Sequence, residues 1–436
     1  MARVLALTAR LPYPPREGHQ LRSWHLLRAL AERHDVTLLS CLREDDAPDD
    51  CAPLRDMLAR LETVPIPAQR SRYALARALV RGAVGVQPFV VEKYASAVLR
   101  RRTAALADAA DLIHVDMLPL MACLDDVPRA LPVVLNAHNV EYLLLRQRAN
   151  AEEHLPRRLF LRSQVGKLER FERAACRRAD AVLACSEDDA GELRALAGEA
   201  RVTVVPNGVD VRRLHPVPHP AAAHPPNGQQ LVFVGQMSWF PNREGVQWFF
   251  AEILPRILAA RPDARFALVG KSEGVDVPDA LRAHVNLAGF VEDLAPLVQE
   301  SAVYVVPLRS GSGTRLKVLE AMAFAKPIVT TRIGAQGIDL VDGEEALYAD
   351  DADAFAAAVL ALLADPARAA RLGAAARLKA QARYDWEAIG RNALEVYAGL
   401  LADHDPLAAR SRYATSPTSS WIAASALASA EACGRK

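Results

Sequence analysis

The sequence lacks an excess of charge of either sign. Its 436 residues include 53 lysines and arginines against 52 aspartates and glutamates, which leaves a formal net charge of +1. A chain with this balance has no overall positive field that would attract a polyanion. We therefore expect no nucleic acid among its partners.

Paired cysteines and long apolar segments are also lacking. The six cysteines are Cys41, Cys51, Cys123, Cys176, Cys185 and Cys433. Their scattered positions fit neither a zinc cluster nor a disulfide framework and favour reduced thiols. Nowhere do about 18 apolar residues follow one another, the length that a membrane-spanning helix requires, and no secretion signal is apparent. We expect a cytoplasmic protein, soluble or peripheral at the inner face of the cell membrane.

What is present is an alternation of short β-branched or leucine-rich segments with long amphipathic, alanine-rich ones. This pattern is typical of a doubly wound parallel sheet, and it occurs twice. In the first half, strands are predicted near 4–7, 36–39, 64–66, 112–115, 133–136, 181–184 and 202–205. In the second half they are predicted near 232–235, 266–269, 285–287, 303–306 and 328–330. The fold class is therefore α/β, with two Rossmann-like domains that we expect to face each other across a cleft.

Composition sets the predicted domain boundaries. Residues 1–213 form the first domain and 229–383 the second. A helix over 384–404 is expected to close the second domain, and packing back across the first domain is the alternative. Between the domains, the segment 214–228 contains five prolines and three histidines, which favours a linker over a packed element or a metal site. Residues 405–436 are rich in Ala and Ser and are predicted to form a disordered tail.

The segment 307–323 has the local architecture of an anion site. It ends an apolar strand, passes through a glycine turn that includes Gly313, and opens a helix. Free N–H groups and the helix macrodipole favour negative charge there, and glycines let the backbone approach a ligand. Arg315 and Lys317 lie in the first turn, where each cation gives up roughly 0.3–1 kcal/mol, so an anionic ligand would explain them. Glu320, one turn further on, offers an acceptor for the hydroxyl groups of a sugar.

Two loops in the first half also follow predicted strands. Gly18 can bring backbone N–H groups close to a phosphate, although a structural turn explains it equally well. Three arginines near this glycine are Arg10, Arg16 and Arg22. His138 follows the strand at 133–136 and can hold, accept or donate a proton on an acceptor hydroxyl. A histidine that caps the next helix or bonds a core carbonyl is the structural alternative.

Two positions in the second half are further candidates. Gly235 ends a strand, so its backbone can border a bound donor. Phe290 follows another strand and can lie beside a nucleotide base. The structural alternatives here are Asn242 and Asp293 as simple helix caps.

At these residues the chain resembles the family 4 glycosyltransferases of the GT-B fold. The resemblance rests on four segments in this order: 5–38 with its Pro-Tyr-Pro-Pro sequence and Gly18, 138–141, 205–210 and 318–323. It spans about residues 3–400 and is greatest to sugar transferases of bacterial exopolysaccharide systems. The resemblance implies a retaining, metal-independent enzyme without a cofactor. Such an enzyme moves a sugar from a nucleoside diphosphate sugar to a glycan or lipid-linked acceptor.

The resemblance also implies roles for individual residues. Glu320 matches the second of two family glutamates, the one that binds the ribose. The first would fall at Ser312, which is not acidic. The family's basic pair after the first strand of the donor domain is absent, because that loop reads Trp-Phe-Pro-Asn over 239–242. Arg315 and Lys317 are therefore the candidates for holding the diphosphate.

In the first domain, His138 matches the family histidine near the acceptor and donor sugar, and Gly18 matches the loop beside the phosphates. The amides of Gly313 and Thr314 would join the two cations in meeting the charge of the leaving diphosphate. With fixed cations a metal becomes dispensable. In agreement, Asp-Ala-Asp over 351–353 is predicted at the start of a helix and not at the end of a strand.

Two basic, apolar segments, 70–81 and 157–162, bear on the acceptor. Basic amphipathic helices bind anionic membranes, which suits a lipid-linked acceptor, although a solvated helix face is equally common.

Two other functions stay open: a nucleotide-sugar epimerase or hydrolase of the same fold, and a non-catalytic sugar-nucleotide-binding protein, which Ser312 favours. A dinucleotide oxidoreductase is disfavoured because no Gly-x-Gly-x-x-Gly follows the first strand.

Overall fold

The computed structural model describes residues 1–15, 18–43, 46, 51–198, 200–216, 229–311 and 313–403. Arg16, Ser312, most of the predicted linker 214–228 and the predicted tail 405–436 lie outside these ranges. The chain divides into two compact units. Unit 1 holds Met1–Val205 and, within the described residues, 390–403; unit 2 holds Pro206–Ile389.

Unit 1 is built on a seven-stranded parallel sheet of order β3-β2-β1-β4-β5-β6-β7. Its strands are β1 (Arg3–Thr8), β2 (Asp35–Leu42), β3 (Arg60–Pro65), β4 (Leu112–Asp116), β5 (Val133–Asn136), β6 (Ala181–Ala184) and β7 (Arg201–Val204). Its helices are α1 (Gly18–Ala31), α2 (Ala52–Met57), α3 (Pro67–Arg70), α4 (Arg72–Val84), α5 (Phe89–Tyr94), α6 (Ala97–Ala107), α7 (Glu141–Ala151), α8 (Leu155–Arg178) and α9 (Glu187–Ala197). A 3-10 helix spans Leu118–Leu124. Buried β1 pairs in parallel with β2 and β4, with Val4 opposite Val36 and Leu112.

Unit 2 is built on a six-stranded parallel sheet of order β10-β9-β8-β11-β12-β13. Its strands are β8 (Gln230–Val234), β9 (Arg265–Val269), β10 (Val285–Gly289), β11 (Val303–Val306), β12 (Ile328–Thr330) and β13 (Leu347–Tyr348). Its helices are α10 (Phe240–Trp248), α11 (Leu254–Ala260), α12 (Ala295–Glu300), α13 (Leu316–Ala323), α14 (Ala352–Ala364) and α15 (Pro366–Arg383), and a π-helical turn at Phe249–Ile253 joins α10 to α11. Asp351 caps α14 by accepting a hydrogen bond from the Ala354 N–H at 2.8 Å, so the Asp-Ala-Asp segment opens a helix, as predicted.

The two-sheet α/β fold predicted from the sequence is confirmed, because each of the twelve predicted strands is present in its sheet. The strand β13 was not predicted. Its two residues are too few to show the period of two that identifies a strand. In both sheets the strand order reverses beside the first strand, between β1 and β4 and between β8 and β11. Open α/β sheets bind ligands at the carboxyl ends of the strands at such a point.

The unit boundaries differ from the sequence-based ones at both ends of unit 2. Residues 206–213 were predicted in the first domain, yet the Val209 N–H donates to the Tyr384 carbonyl at 2.7 Å and Val209 is buried in the core of unit 2. The last helix, α16 (Trp386–Asp403), begins in unit 2 and continues from Gly390 in unit 1. Among the helices of the described residues, none combines the length and the apolar character needed to cross a membrane.

The end of α16 is tied to the sheet of unit 1 by one buried polar contact. The Tyr397 hydroxyl is hydrogen-bonded to Nδ1 of His114, on β4, at 2.7 Å, and both side chains are fully buried. Burial lowers the pKa of His114 to about 4, so the ring is neutral near pH 7. The contact is therefore a hydrogen bond between neutral groups.

We predict that Tyr397→Phe lowers the free energy of unfolding of unit 1 by about 1–3 kcal/mol, because it leaves a buried ring nitrogen without this partner. Urea denaturation measures the loss. Tyr73→Phe is the matched control, since the Tyr73 side chain on α4 is 77% exposed and its hydroxyl contacts water. Equal midpoints for the two variants would contradict the role of the Tyr397 contact.

Candidate functional site

The glycine loop between β11 and α13 has a backbone that ordinary residues rarely adopt. Gly311 has φ +117° and Gly313 has φ +76°, in the region that favours glycine. A Cβ atom on Gly311 would lie 2.9 Å from one guanidinium nitrogen of Arg315. The absence of a side chain thus lets Arg315 pack directly on the loop.

The same loop is fixed to its neighbours at several points. Ser310 Oγ donates to Glu244 Oε2, on α10, at 2.5 Å. A Cβ atom on Gly245 would be 2.5 Å from the Pro307 carbonyl oxygen, so α10 packs closely against the end of β11. Thr331 Oγ1, just after β12, donates to the Leu308 carbonyl. The loop that precedes α13 is therefore held in one position by its neighbours in the fold.

Arg315 is the N-cap residue of α13 and is buried. Its Nε donates to the Ile333 carbonyl at 3.2 Å, and its guanidinium carbon is 5.6 Å from the centre of the Trp239 ring. A guanidinium has donors but no acceptor, so this side chain cannot cap the N–H groups of the first turn. Of those groups, the Val318 N–H donates to the Arg315 carbonyl at 2.9 Å.

Lys317 points from the first turn of α13 to the carboxyl end of β8. Its Nζ donates to Oδ1 of Asn242 and lies 4.6 Å from the ring centre of Phe233 and 5.6 Å from that of Trp239. Burial, and next the charge of Arg315, lower the pKa of Lys317 to about 7, while Glu320 opposes the shift. The ammonium is therefore poised between its two charge states near neutral pH.

Glu320 lies one turn beyond Lys317. Burial raises the pKa of Glu320 to about 7, and the opposing attraction of Lys317 limits the shift. Burial, and next the charge of Glu320, raise the pKa of Tyr304, on β11, well above its usual value. Three predicted residues, Arg315, Lys317 and Glu320, thus belong to one electrostatic cluster.

Gly235 borders this cluster at the end of β8. A Cβ atom there would be 2.7 Å from Nδ2 of Asn242 and 3.1 Å from Nζ of Lys317. Asn242 was considered as a helix cap, but α10 already begins at Phe240, with Trp239 as its N-cap residue. The buried amide of Asn242 instead donates to the Gln236 carbonyl at 2.9 Å and accepts from Lys317.

The other donor contacts predicted in unit 2 differ in their position relative to the cluster. Gly313 and Thr314 are buried in the loop directly before Arg315. Phe290 follows β10, which β9 separates from β8, and its side chain is 63% exposed. Ser312 lies outside the described residues.

In unit 1, His138 lies at the carboxyl end of β5 beside an aspartate of β4. Its Nε2 is 2.9 Å from Oδ1 of Asp116, and its ring centre is 6.5 Å from that of His19, on α1. The structural alternative for His138, a bond to a core carbonyl or a helix cap, does not describe this contact to a buried carboxylate.

Asp116 is the centre of a buried polar network that the sequence analysis missed. Its carboxylate also accepts from Ser23 Oγ at 2.5 Å and from Asn136 Nδ2 at 2.6 Å. Burial alone would raise the pKa of Asp116, but His138, His114 and Ser23 hold it well below its usual range. The one sequence signal was an acidic residue at the end of a predicted strand that neighbours the first strand.

Two of the arginines near Gly18 are engaged inside unit 1. Arg10 Nε is paired with Asp46 Oδ1 at 2.8 Å, and both side chains are buried. Arg22 is fully buried, and it donates to Asn136 Oδ1 at 2.9 Å and to the Val205 carbonyl at 2.7 Å. Gly18 is the first residue of α1. These two arginines, which were expected to supply positive charge around Gly18, therefore bind groups inside the unit.

Solved structures share both parallel sheets. A sucrose-phosphate synthase from Thermosynechococcus elongatus gives a TM-score of 0.67 over 92% of this chain and 100% of that chain, at 21% identity. HepE from Anabaena, in complex with UDP and glucose, gives a TM-score of 0.63 over 91% of this chain and 100% of that chain, at 15% identity. At such identities the likeness shows the fold alone, which is that of the GT-B class.

Sequence comparison identifies the family. Residues 17–213 match the profile described as Glycosyltransferase Family 4, and residues 228–365 match that of Glycosyl transferases group 1. A phosphatidyl-myo-inositol mannosyltransferase from Mycolicibacterium smegmatis is 29% identical over 214 residues, which are 47% of this chain and 53% of that protein. The chain spans about half the length of the curated relatives it matches. This chain belongs to the family 4 glycosyltransferases of the GT-B fold, and the resemblance drawn from its motifs is confirmed.

We predict that Asp116→Asn lowers the free energy of unfolding of unit 1 by about 3 kcal/mol, because an amide keeps only one of the two acceptor oxygens, loses the charge and presents two donors in place of the other oxygen. Urea denaturation measures the loss. Asp126→Asn is the matched control: its exposed ion pair with Arg100, at 2.8 Å, should contribute less than about 1 kcal/mol. Similar losses for both variants would contradict the role of the network.

Proposed function

We propose that this chain transfers a sugar from a nucleoside diphosphate sugar to an acceptor, with retention of configuration and without a cofactor. The observation that carries this proposal is the pair of cations at the start of α13, with Lys317 reaching the carboxyl end of β8 and Arg315 packed on the glycine loop. Ligands of open α/β sheets bind where the strand order reverses, as it does between β8 and β11. Two cations beside the start of a helix suit a diphosphate.

Binding of a diphosphate would change the charge state of Lys317. Because burial lowers the pKa of Lys317 to about 7, only part of the population carries the ammonium at neutral pH. A bound anion favours the charged form and raises the pKa. The ammonium is then in place when negative charge grows on the leaving diphosphate as its bond to the anomeric carbon breaks. One preorganised donor of this kind contributes roughly 2.7–4 kcal/mol in a transition state.

The remaining donor contacts are assigned to residues around the glycine loop and the ends of the neighbouring strands. Glu320 is assigned to accept hydrogen bonds from the ribose hydroxyl groups. The amides of Gly313 and Thr314 are assigned to donate hydrogen bonds to the diphosphate, and the backbone of Gly235 is assigned to border the donor. Three further assignments come from the family resemblance and from strand position: Ser312 beside the donor sugar, Phe290 beside the base and Gly18 beside the phosphates.

His138 is assigned to the sugar and its acceptor. Asp116 holds the ring through Nε2, so the opposite nitrogen, Nδ1, is the atom assigned to the acceptor hydroxyl. A carboxylate on one ring nitrogen fixes the orientation of the imidazole. His138 would thus hold the acceptor oxygen.

Similar proteins support the substrate classes. HepE is solved with UDP and glucose, which supports a uridine nucleotide as one donor to test. The mannosyltransferase from Mycolicibacterium smegmatis is named for an inositol lipid, which supports a lipid-linked acceptor beside a glycan. We propose the synthesis of an exopolysaccharide or a cell-surface glycan as the process.

We predict that Lys317→Ala and Glu320→Ala each lower turnover by about 100-fold or more, because each removes a group assigned to the donor. The assay incubates the protein with a panel of nucleoside diphosphate sugars, with and without bacterial lipid extract, and measures the diphosphate released. Lys379→Ala is the matched control: this lysine of α15 pairs with Glu345 at 2.7 Å and should leave turnover unchanged.

The same assay separates the other candidate functions. Release that does not depend on the lipid extract or on an added glycan would favour a nucleotide-sugar hydrolase, and interconversion of the sugar without release would favour an epimerase. Binding without any turnover would favour a sugar-nucleotide-binding protein. The serine at position 312, where the family has a glutamate, supports this alternative. Unchanged turnover in Lys317→Ala would remove the assignment of the cation.

We further propose that α4 holds the protein at the inner face of the cell membrane, where a cytoplasmic enzyme meets a lipid-linked acceptor. Tyr73, Val80 and Val84 are exposed and recur at spacings of seven and four, so they share one face of the helix. Arg77, which is also exposed, lies on this face between Tyr73 and Val80. Exposed apolar side chains with interspersed cations suit an anionic membrane surface.

The end of this helix contacts α8, the helix that carries the second basic segment. Nζ of Lys167, on α8, donates to the Gly82 carbonyl at 2.7 Å, and Leu155 and Leu159 at the start of α8 are exposed. Both basic segments predicted from the sequence therefore belong to neighbouring helices of unit 1. Several of their apolar side chains, among them Tyr73, Val80 and Leu159, are exposed.

We predict that the protein sediments with phosphatidylglycerol vesicles and not with phosphatidylcholine vesicles, and that added salt releases it. Arg77→Glu should weaken the binding about fivefold or more, whereas Arg101→Glu, an equal change of net charge at an exposed position of α6, should have little effect. Sedimentation that is absent, or insensitive to salt, would count against this surface as a membrane contact.

A further inference from the structure

Asn242 is a neutral side chain in the segment that follows β8. It belongs to the first turns of α10 and is buried at the carboxyl end of β8. Its two amide atoms have different partners: Nδ2 donates to the Gln236 carbonyl at 2.9 Å, and Oδ1 accepts from Lys317 Nζ. The side chain thus links the turn after β8 to the first turn of α13.

Within the described residues, Lys317 Nζ makes one hydrogen bond, to Oδ1 of Asn242. The other neighbours of the ammonium are the faces of Phe233 and Trp239, at 4.6 and 5.6 Å. Aromatic faces attract a cation but leave it free to shift across the ring. A directional acceptor is needed to fix the position of Nζ, and the carboxamide oxygen supplies it.

The Asn242 side chain packs closely against the turn after β8. A Cβ atom on Gly235 would be 2.7 Å from Nδ2 of Asn242, and one on Gly270 would be 2.2 Å from the Gly235 carbonyl oxygen. The amide of Asn242 is therefore held on one side by the β8 turn, and its oxygen faces Lys317. The Gln236 bond fixes which way the carboxamide points, because only the NH2 group can donate to a carbonyl.

We propose that Asn242 is a positioning residue that holds the Lys317 ammonium at the end of β8 for a nucleoside diphosphate. The proposal rests on the donor site described under the proposed function. Asn242 does not contact the reacting atoms in this scheme and acts through Lys317. A neutral acceptor suits this role better than a carboxylate, because an acidic side chain would neutralise the cation that the diphosphate needs.

The test measures binding of UDP, GDP and inorganic pyrophosphate by isothermal titration calorimetry to wild type, Asn242→Ala, Lys317→Ala and the double variant. Asn242→Ala should weaken the binding of UDP or GDP about tenfold, the size expected for a charge-assisted hydrogen bond. If Asn242 acts through Lys317, the double variant should bind no more weakly than Lys317→Ala alone. Asn286→Ala, at an exposed position on β10, is the matched control and should bind as wild type does.

The pH dependence of nucleotide binding is a second measurement, which should not change if the role of Asn242 is purely structural. Removing the acceptor disfavours the ammonium, so the pKa of Lys317 should fall, and binding in Asn242→Ala should be lost at a lower pH than in wild type. The substitution leaves the other charged or titratable groups of the cluster in place: Arg315 and Glu320 on α13 and Tyr304 on β11. It also leaves Arg243 and Glu244, the next residues of α10, unchanged.

The possible outcomes are distinct. If wild type binds none of the three probes, the donor site and this inference both fall. If wild type binds but Asn242→Ala binds equally well, or if the double variant shows the sum of two independent losses, the inference is overturned while the donor site stands. Should Asn242→Ala fail to fold by circular dichroism, Asn242→Ser, which is polar but too short to reach Nζ, has the same expected results.

Discussion

The ammonium of Lys317 is the interaction on which the site of unit 2 depends. A charge in a half-buried position is costly unless its surroundings compensate it. Here the compensation comes from the carboxamide of Asn242, from two aromatic faces and from the carboxyl group of Glu320. The absence of a side chain at Gly235 leaves the space in which these groups meet.

Unit 1 has the opposite arrangement at the equivalent place in its sheet. There a carboxylate, Asp116, is buried and surrounded by the donors Ser23 and Asn136 and by His138. A compensated charge thus lies near the point where the strand order reverses in each sheet, the negative charge of Asp116 in unit 1 and the positive charge of Lys317 in unit 2. The carboxyl ends of parallel strands gather loops from distant parts of the chain, which makes this the place where polar groups can converge.

Much of the fold and part of the site could be predicted from sequence. The predicted strands were found because β-branched alternation and amphipathic spacing are local signals. Arg315, Lys317 and Glu320 were found because they lie within one helical turn of each other after a glycine loop. Asp116 and Asn242 were not recognised. Each looks ordinary in its own segment, as a strand end and as a possible helix cap, and its role appears only with its partner.

The sequence by itself determined that there are two α/β units, where their strands lie, and that a cationic helix start follows a glycine loop. These properties depend on neighbours within a few residues. The tertiary structure alone decided which groups compensate each charge. Lys317 meets Asn242 across 75 positions of sequence, and Ser23 meets Asp116 across 93. Such contacts are set by the order and twist of the strands and by packing, and no periodicity within a segment records them.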